Sequence, residues 1–152
     1  MKKRLLAMLL ALGLMTVCGC AQKKAPLEEI SEKCGIDLTQ AEVLTETDTY
    51  DSIHRDGFTY LVLQSDSDTG KSIQKNLGHW KVLPFEGKIK EFVSLHEWFP
   101  KPQNGYYWFY DRHEKSTNPY DSSAFLERSD YKFTLVLYDS DTSKIYVFQI
   151  DT

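Results

Sequence analysis

Cysteine is scarce in this chain of 152 residues, with three in all: Cys18, Cys20 and Cys34. Two of these sit at the end of a leader-like segment, which leaves Cys34 alone in the body of the chain. A lone thiol makes no internal disulfide and no CxxC-type zinc or redox site. Such a residue reads as small, apolar and buried, so the core must hold without a covalent staple. Long apolar runs are missing too. The longest, Leu5 to Val17, has thirteen residues, well short of the roughly 20 that carry a helix across a bilayer. Positive charge is not in excess: 18 Lys and Arg stand against 22 Asp and Glu, for a net charge of −4. That balance argues against nucleic acid, which needs a basic face, and against a polybasic grip on anionic lipid. No nucleophile elbow, phosphate loop or dinucleotide fingerprint is present. Gly70-Lys71-Ser72 has the tail of a phosphate loop, but Ser65 stands where its first glycine belongs. Asp66-x-Asp68 has the spacing of a calcium loop. Its twelfth position, which requires a bidentate Glu, is Leu77.

What the chain does have is a beginning of definite character. Lys2, Lys3 and Arg4 form a basic head, Leu5 to Val17 an apolar core, and Gly19 a small residue at a cut. A secretory leader has this order. The end of it, Val17-Cys18-Gly19-Cys20, resembles the lipobox of bacterial lipoproteins. The resemblance implies cleavage between Gly19 and Cys20, and a diacylglyceryl group with palmitate-type chains on the Cys20 sulfur. It implies a protein held on the extracytoplasmic face of the cell membrane. Each buried CH₂ contributes about 0.8 kcal/mol, and two chains anchor stably where one holds only marginally. The expected organisation is a signal peptide over 1–19, a polar tether over 20–25 and one domain over 26–152. Removing residues 1–19 leaves 133 residues and takes three positive charges, so the net charge moves from −4 to −7. An acidic body suits a basic partner, and it is also an ordinary solubility feature.

Pro26 suits a first helical position, and Leu27, Ile30 and Cys34 fall at helical spacing before Gly35, which predicts a helix over 26–34. Ala41, Val43 and Thr45 alternate with polar neighbours and predict an edge strand. Phe58 to Gln64 is apolar on both faces and predicts an interior strand. Asp66 or Asp68 caps a turn of helix carrying Ile73 and Leu77, with Gly78 as its stop. Trp80 to Pro84 reads as extended and inward-packing. Ile89, Phe92 and Val93 predict a second short helix over 87–95. Tyr106 to Arg112 reads as a strand, and 113–124 as a polar loop. Tyr131 to Tyr138 and Lys144 to Ile150 form a closing hairpin across Asp139 to Ser143. Similar stretches near residues 61 and 135 reflect shared turn chemistry rather than a repeat. The sum is an α+β fold of two layers: an antiparallel sheet of about five strands, with short helices on one face and a C-terminal β-hairpin.

Chemistry has two candidate locations. His54-x-Asp56 and Asp111-Arg112-His113-Glu114 gather ionisable residues. If His54, Asp56, Asp111 and His113 met, they would suit a metal or an acid/base pair. Neither cluster has a recognised metal spacing, and a solvated loop with a strand-end ion pair is the commoner outcome, so no cofactor and no catalytic residue is expected. The second location is the aromatic segment. Tyr106, Trp108 and Tyr110 share one side of their strand, with Arg112 at its end. An exposed aromatic side would offer contact area to a protein, peptide or glycan partner; core packing is the favoured alternative.

Several segments of the mature body resemble a group of uncharacterised small lipoproteins of Gram-positive gut bacteria. They are Gly35-Ile36-Asp37, Thr45-Glu46-Thr47-Asp48-Thr49, Asn104-Gly105-Tyr106-Tyr107 with Asp111-Arg112-His113, and the closing hairpin at Tyr138-Asp139. Members of that group tend to be glycine-rich near the position of His54, where this chain has Asp51, Ser52 and Arg55. The resemblance carries no activity. The expectation is therefore a lipid-anchored extracytoplasmic binding module. The alternative is an envelope inhibitor or immunity-type protein acting on a basic enzyme, and a small metal-dependent enzyme ranks third.

Overall fold

Runs of aromatic and β-branched residues become strands here, and short amphipathic stretches become the helices between them. The computed structural model describes residues 25–49, 56–66 and 68–152. The leader, Cys20 and His54 lie outside these. In chain order the elements are helix α1 (Ala25–Cys34), strands β1 (Glu42–Asp48) and β2 (Gly57–Gln64), helix α2 (Thr69–Lys75), strand β3 (Lys81–Val82) and helix α3 (Gly87–Leu95). They continue with strand β4 (Gly105–Asp111), a 3₁₀ turn (Phe125–Glu127), and strands β5 (Lys132–Asp139) and β6 (Lys144–Asp151). The six strands form one antiparallel sheet in the order β1-β2-β6-β5-β4-β3.

Local chemistry fixes the element ends. Cys34 closes α1, and Gly35 follows with φ +75, a conformation that favours glycine. The Trp80 indole N–H donates to the Cys34 carbonyl at 2.8 Å, satisfying one of the acceptors a helix end leaves free. Asp66, not Asp68, holds the entry to α2. Its Oδ1 accepts from the backbone N–H groups of Asp68 and Thr69 and from the Thr69 hydroxyl, at 2.9 to 3.0 Å. The β5–β6 turn closes on Asp139, which accepts from the Asp141 N–H and the Thr142 hydroxyl. Gly105 is needed for a close approach: a Cβ there would lie 1.9 Å from the Tyr138 carbonyl oxygen.

The sheet is covered on both faces. Leu61, Leu63, Trp108, Val136 and Val147 point to one side, where Leu27 and Ile30 of α1 and Ile73 of α2 meet them. Tyr107, Phe109, Phe133, Leu135 and Phe148 point to the other, against Ile89, Phe92 and Val93 of α3. Each fully buried large apolar side chain contributes about 1.5–3 kcal/mol, so both layers are needed.

This corrects the expected two-layer arrangement: the α+β class and the antiparallel sheet are as expected, but helices flank both faces. Among the described residues the strand count is six, because Lys81–Val82 adds a short edge beside β4. Helix α2 also stops at Lys75, and Leu77 lies beyond it at 40% exposure rather than in the core.

Candidate functional site

The aromatic strand β4 is core. Trp108 is 1% exposed, as is Tyr107 on the opposite face, while Tyr106 and Tyr110 are half-buried. Trp108 and Tyr110 stack on one another, and Tyr120 packs edge-on against both. Core packing, the favoured reading of this segment, is what the structure shows: its aromatic side is closed by α1, α2 and the loop that carries Tyr120. Arg112 is likewise committed. One Nη2 donates to the carbonyls of Phe133 and Ile150 and to the Asp151 carboxylate, at 3.0 to 3.3 Å. Its Nε is buried without a partner.

The ionisable residues at the end of β4 are engaged in internal contacts. Asp111 is 3% exposed. It accepts from Arg128 at 2.6 Å and from the His113 backbone N–H at 3.0 Å. The His113 ring is occupied at both nitrogens. The Lys115 N–H donates to Nδ1 at 3.1 Å, which places the proton of the neutral ring on Nε2, 3.2 Å from the Asp130 carboxylate. Neither nitrogen has a lone pair free for a metal. Asp56 lines the cleft described next. Among the described residues, no group of three or more His, Cys, Asp or Glu is placed to hold a metal ion. Cys34 offers no nucleophile either, since burial pushes its thiol up to about 11.

Two concavities share the end of the sheet where β2 begins and β6 finishes. On the α1 face, Glu29, Lys33, Tyr110, Arg112 and His113 surround a polar hollow of about 350 Å³. Lys33 pairs with Glu29 and sits 4.8 Å above the Tyr110 ring. The Lys33 contact holds the Glu29 carboxyl below its usual range, with Arg112 adding to the effect. On the α3 face lies an open apolar cleft of about 520 Å³, with Phe58, Phe92, Leu126, Tyr131 and Ile150 in its walls and Asp56 and Asp151 at its rim. Leu95 and Trp98 also border it. They are 72% and 55% exposed, large apolar side chains left in water. His96 is fixed beneath them by its Nδ1 contact to the Phe92 carbonyl at 2.7 Å, and Trp98 lies edge-on to its ring. The Arg112–Asp151 pair ties the two concavities together.

Sequence reasoning passed over Leu95 and Trp98. A signal was present: Leu95 stands off the Ile89-Phe92-Val93 stripe of its helix, and an apolar residue off the stripe has no core to face. Arg128, the partner of Asp111, had no signal, because the two lie seventeen positions apart across a loop and a 3₁₀ turn.

Among the described residues no helix is long and apolar enough to cross a membrane. No protein-family model matches this chain, nor does any curated protein or solved structure.

Proposed function

We propose that this is a lipid-anchored extracytoplasmic lipoprotein, acylated at Cys20, whose folded body is a non-catalytic binding module working through the apolar cleft at Leu95 and Trp98. The observation that carries the reading is the contrast at one end of the sheet. Asp111, Arg112, Arg128 and His113, the groups that could do chemistry, are spent on internal pairs, while two large apolar side chains stand exposed beside an open cleft. A concave apolar surface with a few polar rim groups is the ordinary form of a binding site. Covering Leu95 and Trp98 stabilises a complex by roughly 1.5–3 kcal/mol per side chain, less the entropic cost of association. An environment-sensitive apolar dye tests this. Its fluorescence should rise with the folded wild-type protein and lose most of that rise with Leu95→Ser/Trp98→Ser. An undiminished signal in that variant contradicts the cleft.

A second reading has its own observation. β1 is an edge strand exposed along its whole length, and Glu42, Glu46 and Asp48 lie on it. An open acidic edge can add a strand from a basic partner, as an inhibitor or immunity-type protein would. Stoichiometric capture of a basic hydrolase from solubilised membranes, abolished by proline at Leu44 and indifferent to Trp98, would favour it.

A further inference from the structure

The cleft and the start of the folded body lie at the same end of the sheet. Lys33 of α1 sits over Tyr110. One helical turn earlier, Glu29 shares its hollow with Arg112, which lies just past the end of β4 at Asp111. The first turn of α1 therefore runs toward the end where Asp111, Phe133, Ile150 and Phe58 stand in register. The apolar cleft opens at that end, with Gly57, Asp151 and Thr152 at its border. Only five residue steps separate Cys20 from Ala25, which reach at most about 18 Å when fully extended. An acyl anchor at Cys20 thus keeps this end of the body close to the bilayer.

We propose that the occupant of the cleft is the surface of the membrane in which the protein's own acyl chains are embedded, with Trp98 and Leu95 seated at headgroup level. The inference rests on the reading of Cys20 as the acylated residue. Trp98 has the amphipathic ring that favours the membrane interface, and Leu95, the more exposed of the pair, supplies apolar surface beside it. Asp56, Asp151 and Thr152 at the rim stay polar, as groups facing headgroups must. The acidic body supplies no electrostatic attraction to anionic lipid. The contact is instead made intramolecular by the tether, and a short linker raises the effective concentration to the millimolar range. Two side chains suffice under that condition, though they would not recruit an untethered protein.

Tryptophan emission gives the test, because Trp80 and Trp108 are 5% and 1% exposed while Trp98 is 55% exposed. The processed, acylated protein is reconstituted into phosphatidylcholine vesicles, with and without bromine on the acyl chains near the carbonyls. The expected result is co-flotation with the vesicles, bromolipid quenching of the emission, and loss of that quenching in Trp98→Phe. Protein that floats while Trp98 remains open to aqueous acrylamide and untouched by bromolipid overturns the docking and leaves the anchor standing. The same holds if quenching persists undiminished in Trp98→Phe. Protein that does not float contradicts both the anchor and the docking.

Discussion

Asp111 shows what a buried charge asks of its surroundings. It is 3% exposed, and Arg128 meets it at 2.6 Å while remaining 23% exposed itself. Removing the partner leaves an uncompensated carboxylate in the interior, which costs about 3 kcal/mol or more. Arg128→Ala should lower the unfolding free energy by about that amount in urea titrations, and adding Asp111→Asn should recover a large part of it. Equal stability of Arg128→Ala and wild type would mean that the pair is solvated. Cys34 is the opposite case. Its thiol is 6% exposed, and burial pushes its pKa up to about 11, so almost none of it is thiolate at pH 8. The folded, processed protein should resist an aromatic disulfide reagent at pH 8 and react with one thiol equivalent in denaturant. Rapid reaction under native conditions would show the site to be open.

At the scale of elements, much was legible because each signal is local. The spacing of Ile89, Phe92 and Val93 gives α3, and Gly35 gives the end of α1. The aromatic and branched runs from Phe133 to Tyr138 and from Ile145 to Ile150, joined by a turn of Asp, Ser and Thr, give the hairpin. What was not legible is which layer each helix joins. That depends on crossovers between distant strands: β2 and β3 are consecutive yet sit four places apart in the sheet. One residue-level clue was available. Tyr106 to Phe109 are aromatic on both faces, and a strand without alternation is covered on both sides. The partners of Asp111 and His113 were not legible for a similar reason, since Arg128 and Asp130 reach them across a loop.

The turns that start and stop these elements also set the response to acid. Asp66 is held below the usual carboxylate range, first by the Thr69 hydroxyl and then by the backbone N–H groups of Asp68 and Thr69. Asp37 is lowered by Thr39, and Asp121 by Ser123. A carboxylate lowered on folding adds stability above its unfolded pKa of about 4, and that stability is lost as pH falls through the lower folded value. Melting temperature should therefore be level from pH 7 to 5 and fall below about pH 4. Asp66→Asn should shallow the fall, because it keeps the acceptor and removes the titration. An unchanged acid limb in this variant would place the sensitivity elsewhere.

For the molecule as a whole, the polar and apolar concavities, the first turn of α1 and the rim at Asp151 all belong to one end of a six-stranded sheet. On the proposed reading, that end looks at the membrane, and the exposed edge β1 stands away to the side, free to meet a partner. This orientation has meaning only if the chain is held by lipid at its processed start. The most direct measurement is the mass of the N-terminal peptide from protein extracted out of membranes. The account predicts a peptide that begins at Cys20 and carries a diacylglyceryl group. A peptide that begins at Met1, or one with a free Cys20 thiol, contradicts it.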